Sequence, residues 1–222
     1  NRPAHLPAIY LADRECEGFA KAIEPLILQH KMAPVAIVGM ASGGYRGPKD
    51  KFDFEFDFRS REYLKVYDAD RYALHLKFVC DELIPSCERA FGFTRDRRAR
   101  ALGGYSNGGA FALTGAFDRP DMFANAFVLS PGAHDAKAFA ESAKRKDIKV
   151  WIASGKLESF TGNARTAASA LTANGVPNSA QEYESGHDWL MWRCAFASQV
   201  VRVFPCSTKR AGSTSDPLFG GR

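Results

Sequence analysis

No uninterrupted apolar run in this 222-residue chain approaches the roughly 20 residues of a membrane-crossing helix, so no segment is expected to span or anchor in a bilayer. No C-x-x-C pair occurs, and the five cysteines, at 16, 80, 87, 194 and 206, form no metal-ligating cluster with the five histidines. Metal catalysis is therefore not expected. An odd number of scattered cysteines reads as reduced, mostly buried thiols, with Cys194 and Cys206 a possible pair only in an oxidising compartment. No internal repeat is visible. The chain opens on Asn1 with neither a methionine nor a signal peptide, so it is expected to be a processed or trimmed form. Cytoplasmic and periplasmic locations both stay open.

What is present is the composition of an ordinary globular protein, 45% hydrophobic and 25% charged. One catalytic-size domain over 1–204 is expected, followed by a flexible tail over 205–222 that is rich in Gly, Ser, Pro and charge. The net charge of +5 would suit an anionic small molecule or surface. Its densest cluster, Arg95, Arg97, Arg98 and Arg100, is interrupted by Asp96 and reads as a solvated connection. No nucleic-acid partner is expected, and the oligomeric state is left open.

Short apolar runs over 6–12 and 34–40 flank a helical pattern over 17–29, a βαβ unit of a parallel sheet. Phe52, Phe54, Phe56 and Phe58 alternate with acids, a period of two that puts four rings on one side of an extended segment. They are expected to enter the core, with an aromatic wall beside a binding site as the alternative. Apolar spacing over 70–91 predicts one amphipathic helix, capped by Asp68 or Asp70. Strands follow at 99–102, 125–129, 150–154 and 179–183, and helices at 107–117, 163–174 and 189–204. Only about twenty residues separate the strands at 125–129 and 150–154, too few for an inserted lid domain.

The chemistry concentrates at Gly104-Tyr105-Ser106-Asn107-Gly108, a G-x-S-x-G pattern between a strand and a helix. Such a turn strains the serine backbone and tolerates only small residues two positions away, which marks Ser106 as a candidate nucleophile. The Asn107 N–H, opening a helix, would face a developing oxyanion. A serine needs a base and the base an acid. His187 follows a strand directly, where a parallel sheet collects its catalytic groups, whereas His5, His30, His75 and His134 lie elsewhere. Glu158, in the loop after the strand at 150–154, is the candidate acid and Asp135 its rival. Asp188 adjoins His187 and should point away from it.

The segments LGGYSNGGAFAL around Ser106, SGKLES around Glu158, SGHDWLMWR around His187 and the run Arg59-Ser60-Arg61-Glu62-Tyr63 together resemble the putative-esterase branch of the α/β-hydrolases. That branch includes enterochelin (ferric enterobactin) esterases, feruloyl esterases and esterase D type enzymes. The resemblance covers about residues 6–204, and its most specific part is Gly186, His187, Asp188, Trp192 and Arg193, which match G-H-D-x-x-x-W-R. It implies an α/β-hydrolase fold: a mostly parallel central sheet, helices on both faces and no large lid. It also implies Ser106 as nucleophile, His187 as base, Glu158 as acid and no cofactor.

Arg59, Tyr105 and Trp189 are the candidate substrate-binding residues. The branch usually carries Asp-Gly after the first strand, where a second oxyanion donor lies. Here the pair is Asp13-Arg14, so that donor falls to the Arg14 region. The branch also tends to begin with antiparallel strands that this chain lacks. The implied activity is hydrolysis of a small ester by a Ser-His-Glu triad through an acyl-enzyme, most like the enterochelin esterases. A feruloyl or carbohydrate acetyl esterase is the alternative, and a catalytically silent hydrolase-fold binding protein is the alternative from another class.

Overall fold

The computed structural model describes residues 5–134 and 147–206. Its first strand, β1 (Ala8–Ala12), is wholly buried because both of its faces are covered: Ala8, Tyr10 and Ala12 enter one core, Ile9 and Leu11 the other. Helix α1 (Glu17–Leu28) carries the chain to a parallel β2 (Ala36–Met40). The chain then returns past β1 to β3 (Arg100–Tyr105) on its other side. β4 (Asn125–Leu129), β5 (Lys149–Gly155) and β6 (Asn178–Tyr183) complete a six-stranded, all-parallel sheet of order β2-β1-β3-β4-β5-β6. The strand order reverses at β1, so a crevice opens beyond the carboxyl ends of β1 and β3.

Helices cover both faces. On one, α1 packs with the last helix through Phe19, Ile23, Met191, Trp192 and Phe196. On the other lie α2 (Phe58–Tyr63), α3 (Ala69–Phe78), α4 (Ile84–Phe91), α5 (Asn107–Asp118) and α6 (Thr161–Ala173), whose Tyr63, Tyr72, Ile84, Phe111 and Leu171 fill the second core. The last helix is α7 (Trp189–Val203). This is the α/β-hydrolase architecture.

The phenylalanine tract departs from expectation. Asp53 accepts the Glu55 N–H at 2.9 Å and Asp57 the Ser60 N–H at 3.3 Å, so the alternating acids act as turn caps and the chain coils into a 3-10 turn (Phe54–Phe56) and α2. No strand forms. Phe52, Phe54 and Phe56 stay exposed; Phe52 stacks on Tyr45, and Phe54 lies edge-on to Phe52 and tilted against Tyr67.

The single helix expected over 70–91 is also interrupted. Asp68 caps α3 by accepting the Arg71 N–H, but a π turn, Val79–Leu83, separates α3 from α4. Pro85 explains it: proline cannot donate to the carbonyl four residues back, and the wider turn carries the chain past that lost bond. Arg100 corrects the reading of the arginine cluster as solvated. Its guanidinium is buried at the root of β3 and paired with Glu88 at 2.5 Å, with further bonds to the Met122 and Arg95 carbonyls. Arg97 and Arg98 pair with Asp147 and Asp96 near the surface.

All five cysteines are free, Cys194 and Cys206 included. Contrary to expectation only Cys80 is buried, and burial pushes its thiol up to about 12. Asp135 and most of the expected tail, 207–222, lie outside the described residues. Among those described, no helix is long and apolar enough to cross a membrane.

Candidate active site

Ser106 closes β3 with φ +56° and ψ −127°, a combination that costs a non-glycine residue about 1–3 kcal/mol. Its neighbours hold that conformation. The Ser106 N–H donates to the Leu129 carbonyl at 2.9 Å, and its own carbonyl accepts the N–H groups of Gly109 at 2.9 Å and Gly132 at 2.8 Å. A Cβ on Gly104 would run into the Gly108 carbonyl and stand 3.0 Å from the Gly108 Cα, and one on Gly108 would stand 2.8 Å from the Ala12 Cβ. Both glycines are therefore required for the turn to sit against the sheet. Ser106 itself is half-buried, and its hydroxyl has no hydrogen-bond partner among the described residues.

Two strands along, the loops after β5 and β6 are stitched together. Lys156 N–H donates to the Tyr183 carbonyl at 2.8 Å and Leu157 N–H to the Ser185 carbonyl at 3.0 Å. Glu158, 1% exposed, accepts the Gly155 N–H on Oε1 at 2.8 Å and the His187 Nδ1–H on Oε2. A carboxylate can only accept, so the proton sits on Nδ1 and Nε2 carries the free lone pair. The His187 ring lies against Phe160 and edge-on to Trp192, with centroids 4.7 Å away in each case. Asp188 points elsewhere: it caps α7, accepting the Met191 N–H at 2.9 Å and the Ser185 hydroxyl at 2.5 Å. The Ser185 bond, ahead of the Met191 bond, holds the Asp188 carboxyl below its usual range.

Tyr105 bridges the two halves. Its ring stacks on Trp192 at 4.7 Å and 25°, packs beside Trp189 at 4.7 Å, and lies 6.0 Å from Phe19. Burial first, then the Asp13 carboxylate, pushes its phenol pKa well up. Trp189 is 38% exposed, with the Arg193 guanidinium over its ring at 5.5 Å, so the aromatic group has one solvent-facing member.

The turn after β1 differs from expectation in how it is held. Asp13 adopts φ +72°, and its carboxylate takes two bonds of 2.8 Å from Arg59 Nε and Nη2. Burial opposes the Arg59 charge, but Asp13 outweighs it, and the net shift of that guanidinium is upward. Arg14 keeps its side chain 83% exposed, 3.9 Å from the Glu15 carboxylate. The N–H groups of Arg14 and Asn107 have no hydrogen-bond partner among the described residues. Asn107 is fixed by its side chain, whose Nδ2 donates to Ser60 Oγ at 2.9 Å.

Sequence reasoning passed over Ser60, Tyr63, Phe160 and Ser130 as parts of this site. Only Ser60 and Tyr63 carried a signal, as members of the Arg59–Tyr63 run. Among the described residues no group of three His, Cys, Asp or Glu side chains could hold a metal.

A family model described as "Putative esterase" matches residues 2–203. No curated protein matches the chain. Among solved structures, the enterobactin esterase FES from Shigella flexneri superposes with TM-score 0.70 at 18% identity, over 90% of this chain and 51% of that one. A CE1 ferulic acid esterase from Anaeromyces mucronatus gives TM-score 0.69 at 17% identity, over 90% and 80%. The BES protein from Bacillus cereus gives 0.69 at 18%, over 92% and 86%. At these identities the likeness is one of fold.

Proposed function

Because this chain belongs to the Putative esterase family and so hydrolyses carboxylic esters, we propose that it does so with Ser106 as nucleophile, His187 as general base and acid, and Glu158 as the group that orients His187. The observation that carries this reading is the Glu158–His187 hydrogen bond, which leaves Nε2 as a base at the same strand ends as the strained Ser106 turn.

His187 Nε2 takes the Ser106 proton as Oγ attacks the ester carbonyl. The Asn107 and Arg14 N–H groups, neither with a partner among the described residues, donate to the oxyanion as it forms. His187 then gives its proton to the leaving alcohol, and an acyl-Ser106 remains. Water, deprotonated by His187, attacks the acyl carbon and releases the acid, returning the proton to Ser106. Glu158 stays ionised throughout and stabilises the imidazolium.

The substrate we infer is a small ester carrying an aromatic ring, because Trp189, 38% exposed, is the solvent-facing member of an aromatic group whose buried members, Tyr105 and Trp192, support it, and Tyr105 adjoins Ser106. Catecholate siderophore esters and feruloyl esters both have such a ring. The pairing of Arg59 with Asp13 favours the uncharged feruloyl type, since the guanidinium already has its carboxylate. Reaction with a fluorophosphonate followed by peptide mass mapping tests the mechanism: the adduct is expected on Ser106, and an unlabelled or differently labelled protein contradicts it. Rates on methyl ferulate against a catechol trilactone separate the two substrate types.

A further inference from the structure

Helix α2 touches both turns from which the oxyanion donors come. From one end, Arg59 grips Asp13 with two bonds of 2.8 Å while its guanidinium lies over the Tyr63 ring at 5.5 Å and the Tyr105 ring at 6.0 Å. From the other, Tyr63 accepts the Asp13 N–H on its hydroxyl at 2.9 Å and donates that hydroxyl to the Met40 carbonyl at 3.0 Å. Asp13 thus holds its left-handed φ with three hydrogen bonds from one short helix. Between them Ser60 accepts the Asn107 side chain at 2.9 Å and donates to Asp57.

We propose that Arg59, Ser60 and Tyr63 are positioning residues that fix the spacing between the Arg14 and Asn107 N–H groups. This rests on the reading that those two groups form the oxyanion hole. The physical case is one of compensation. A non-glycine residue at φ +72° carries a steric cost, and an unclamped turn at a strand end has alternatives of similar energy. The clamp removes them. The bidentate pair is half-buried, with Arg59 26% and Asp13 12% exposed, so solvent screens it only in part. A misplacement of about 1 Å between donor and reacting oxygen is worth about a hundredfold in rate, which sets the scale of what the clamp protects.

Positioning and substrate contact separate kinetically. If α2 sets the donor spacing, Arg59→Met, Ser60→Ala and Tyr63→Phe should each lower kcat by about 10- to 100-fold with KM held within about threefold. The loss should be equal for neutral p-nitrophenyl butyrate and for an anionic ester such as p-nitrophenyl hemisuccinate, and the rate of fluorophosphonate labelling should fall in parallel. Arg59→Lys, which restores the charge and one of the two bonds, should recover part of kcat. Asp13→Asn combined with Arg59→Met should be no worse than either alone.

Tyr63→Phe removes a single hydroxyl and decides the matter if the Arg59 variant does not fold. An unchanged kcat with a KM raised for the anionic ester alone overturns the proposal and makes Arg59 a substrate contact. Failure of the underlying reading looks different: the wild-type protein would then be labelled at a residue other than Ser106, or not at all, and the proposal would fall with it.

Discussion

Trp192 stands at 89° to the His187 ring, centroids 4.7 Å apart, and its indole N–H donates to the buried Ser130 hydroxyl at 2.8 Å. The indole therefore ties the base on the β6 loop to the end of β4, whose Leu129 carbonyl holds the Ser106 N–H. Trp192→Phe keeps a ring but deletes the donor. It should cost about 1–3 kcal/mol through the orphaned Ser130 hydroxyl and lower kcat more than it raises KM. Thermal melting and steady-state kinetics check the two effects separately.

The three proposed catalytic groups act as a unit. Ser106→Ala and His187→Ala should each lower kcat by about 10⁴- to 10⁶-fold, Glu158→Gln by less, and the Ser106→Ala, His187→Ala double variant should be no slower than the worse single one. Asp135→Asn should leave kcat unchanged. A silent Glu158→Gln beside a crippled Asp135→Asn would reassign the acid.

Glycine positions give a matched pair. Gly104→Ala places a methyl group against the Gly108 carbonyl and should abolish measurable activity or folding. Gly162→Ala, near the start of α6, meets nothing within 4 Å and should stabilise the protein by about 0.5 kcal/mol. Circular dichroism melts of the two variants against wild type test both signs.

His75 supplies a pH dependence outside the site. Its side chain packs among Tyr63, Phe78 and Phe111, and burial, opposed by Glu62 at 3.8 Å, holds its pKa below the ordinary value. A base with a folded pKa below its unfolded one binds protons more readily when unfolded. The stability it permits is complete above about pH 6.5 and declines as pH falls from there through the folded pKa. The Nε2 atom has no partner among the described residues, so His75→Phe loses no hydrogen bond there. The variant should show a shallower loss of stability between about pH 7 and 5 in urea melts.

Much of this structure is legible in the sequence where one physical signal dominates. β4 shows as a short apolar run because both faces of a central parallel strand are buried, and α7 shows as a long helical run after the turn at 186–188. The strain at Ser106 follows from its flanking glycines, and the Glu158–His187 bond follows from two loops at neighbouring strand ends.

What escapes the sequence is decided by competing or distant contacts. The Phe52–Phe58 alternation is indistinguishable from a strand until Asp53 and Asp57 are seen to bond backwards onto their own turns. Arg100 reads as one more surface cation until Glu88, twelve positions earlier, closes over it. The Asp13–Arg59 pair joins residues 46 positions apart and has no local signature.

Hydrolysis of p-nitrophenyl acetate and butyrate by the wild-type protein and by Ser106→Ala, with folding of both verified by circular dichroism, is the most direct test of the account. It predicts turnover by the wild type and loss of at least about 10⁴-fold in an equally folded variant. Equal rates from the two proteins would remove Ser106 from the chemistry and contradict the mechanism built on it.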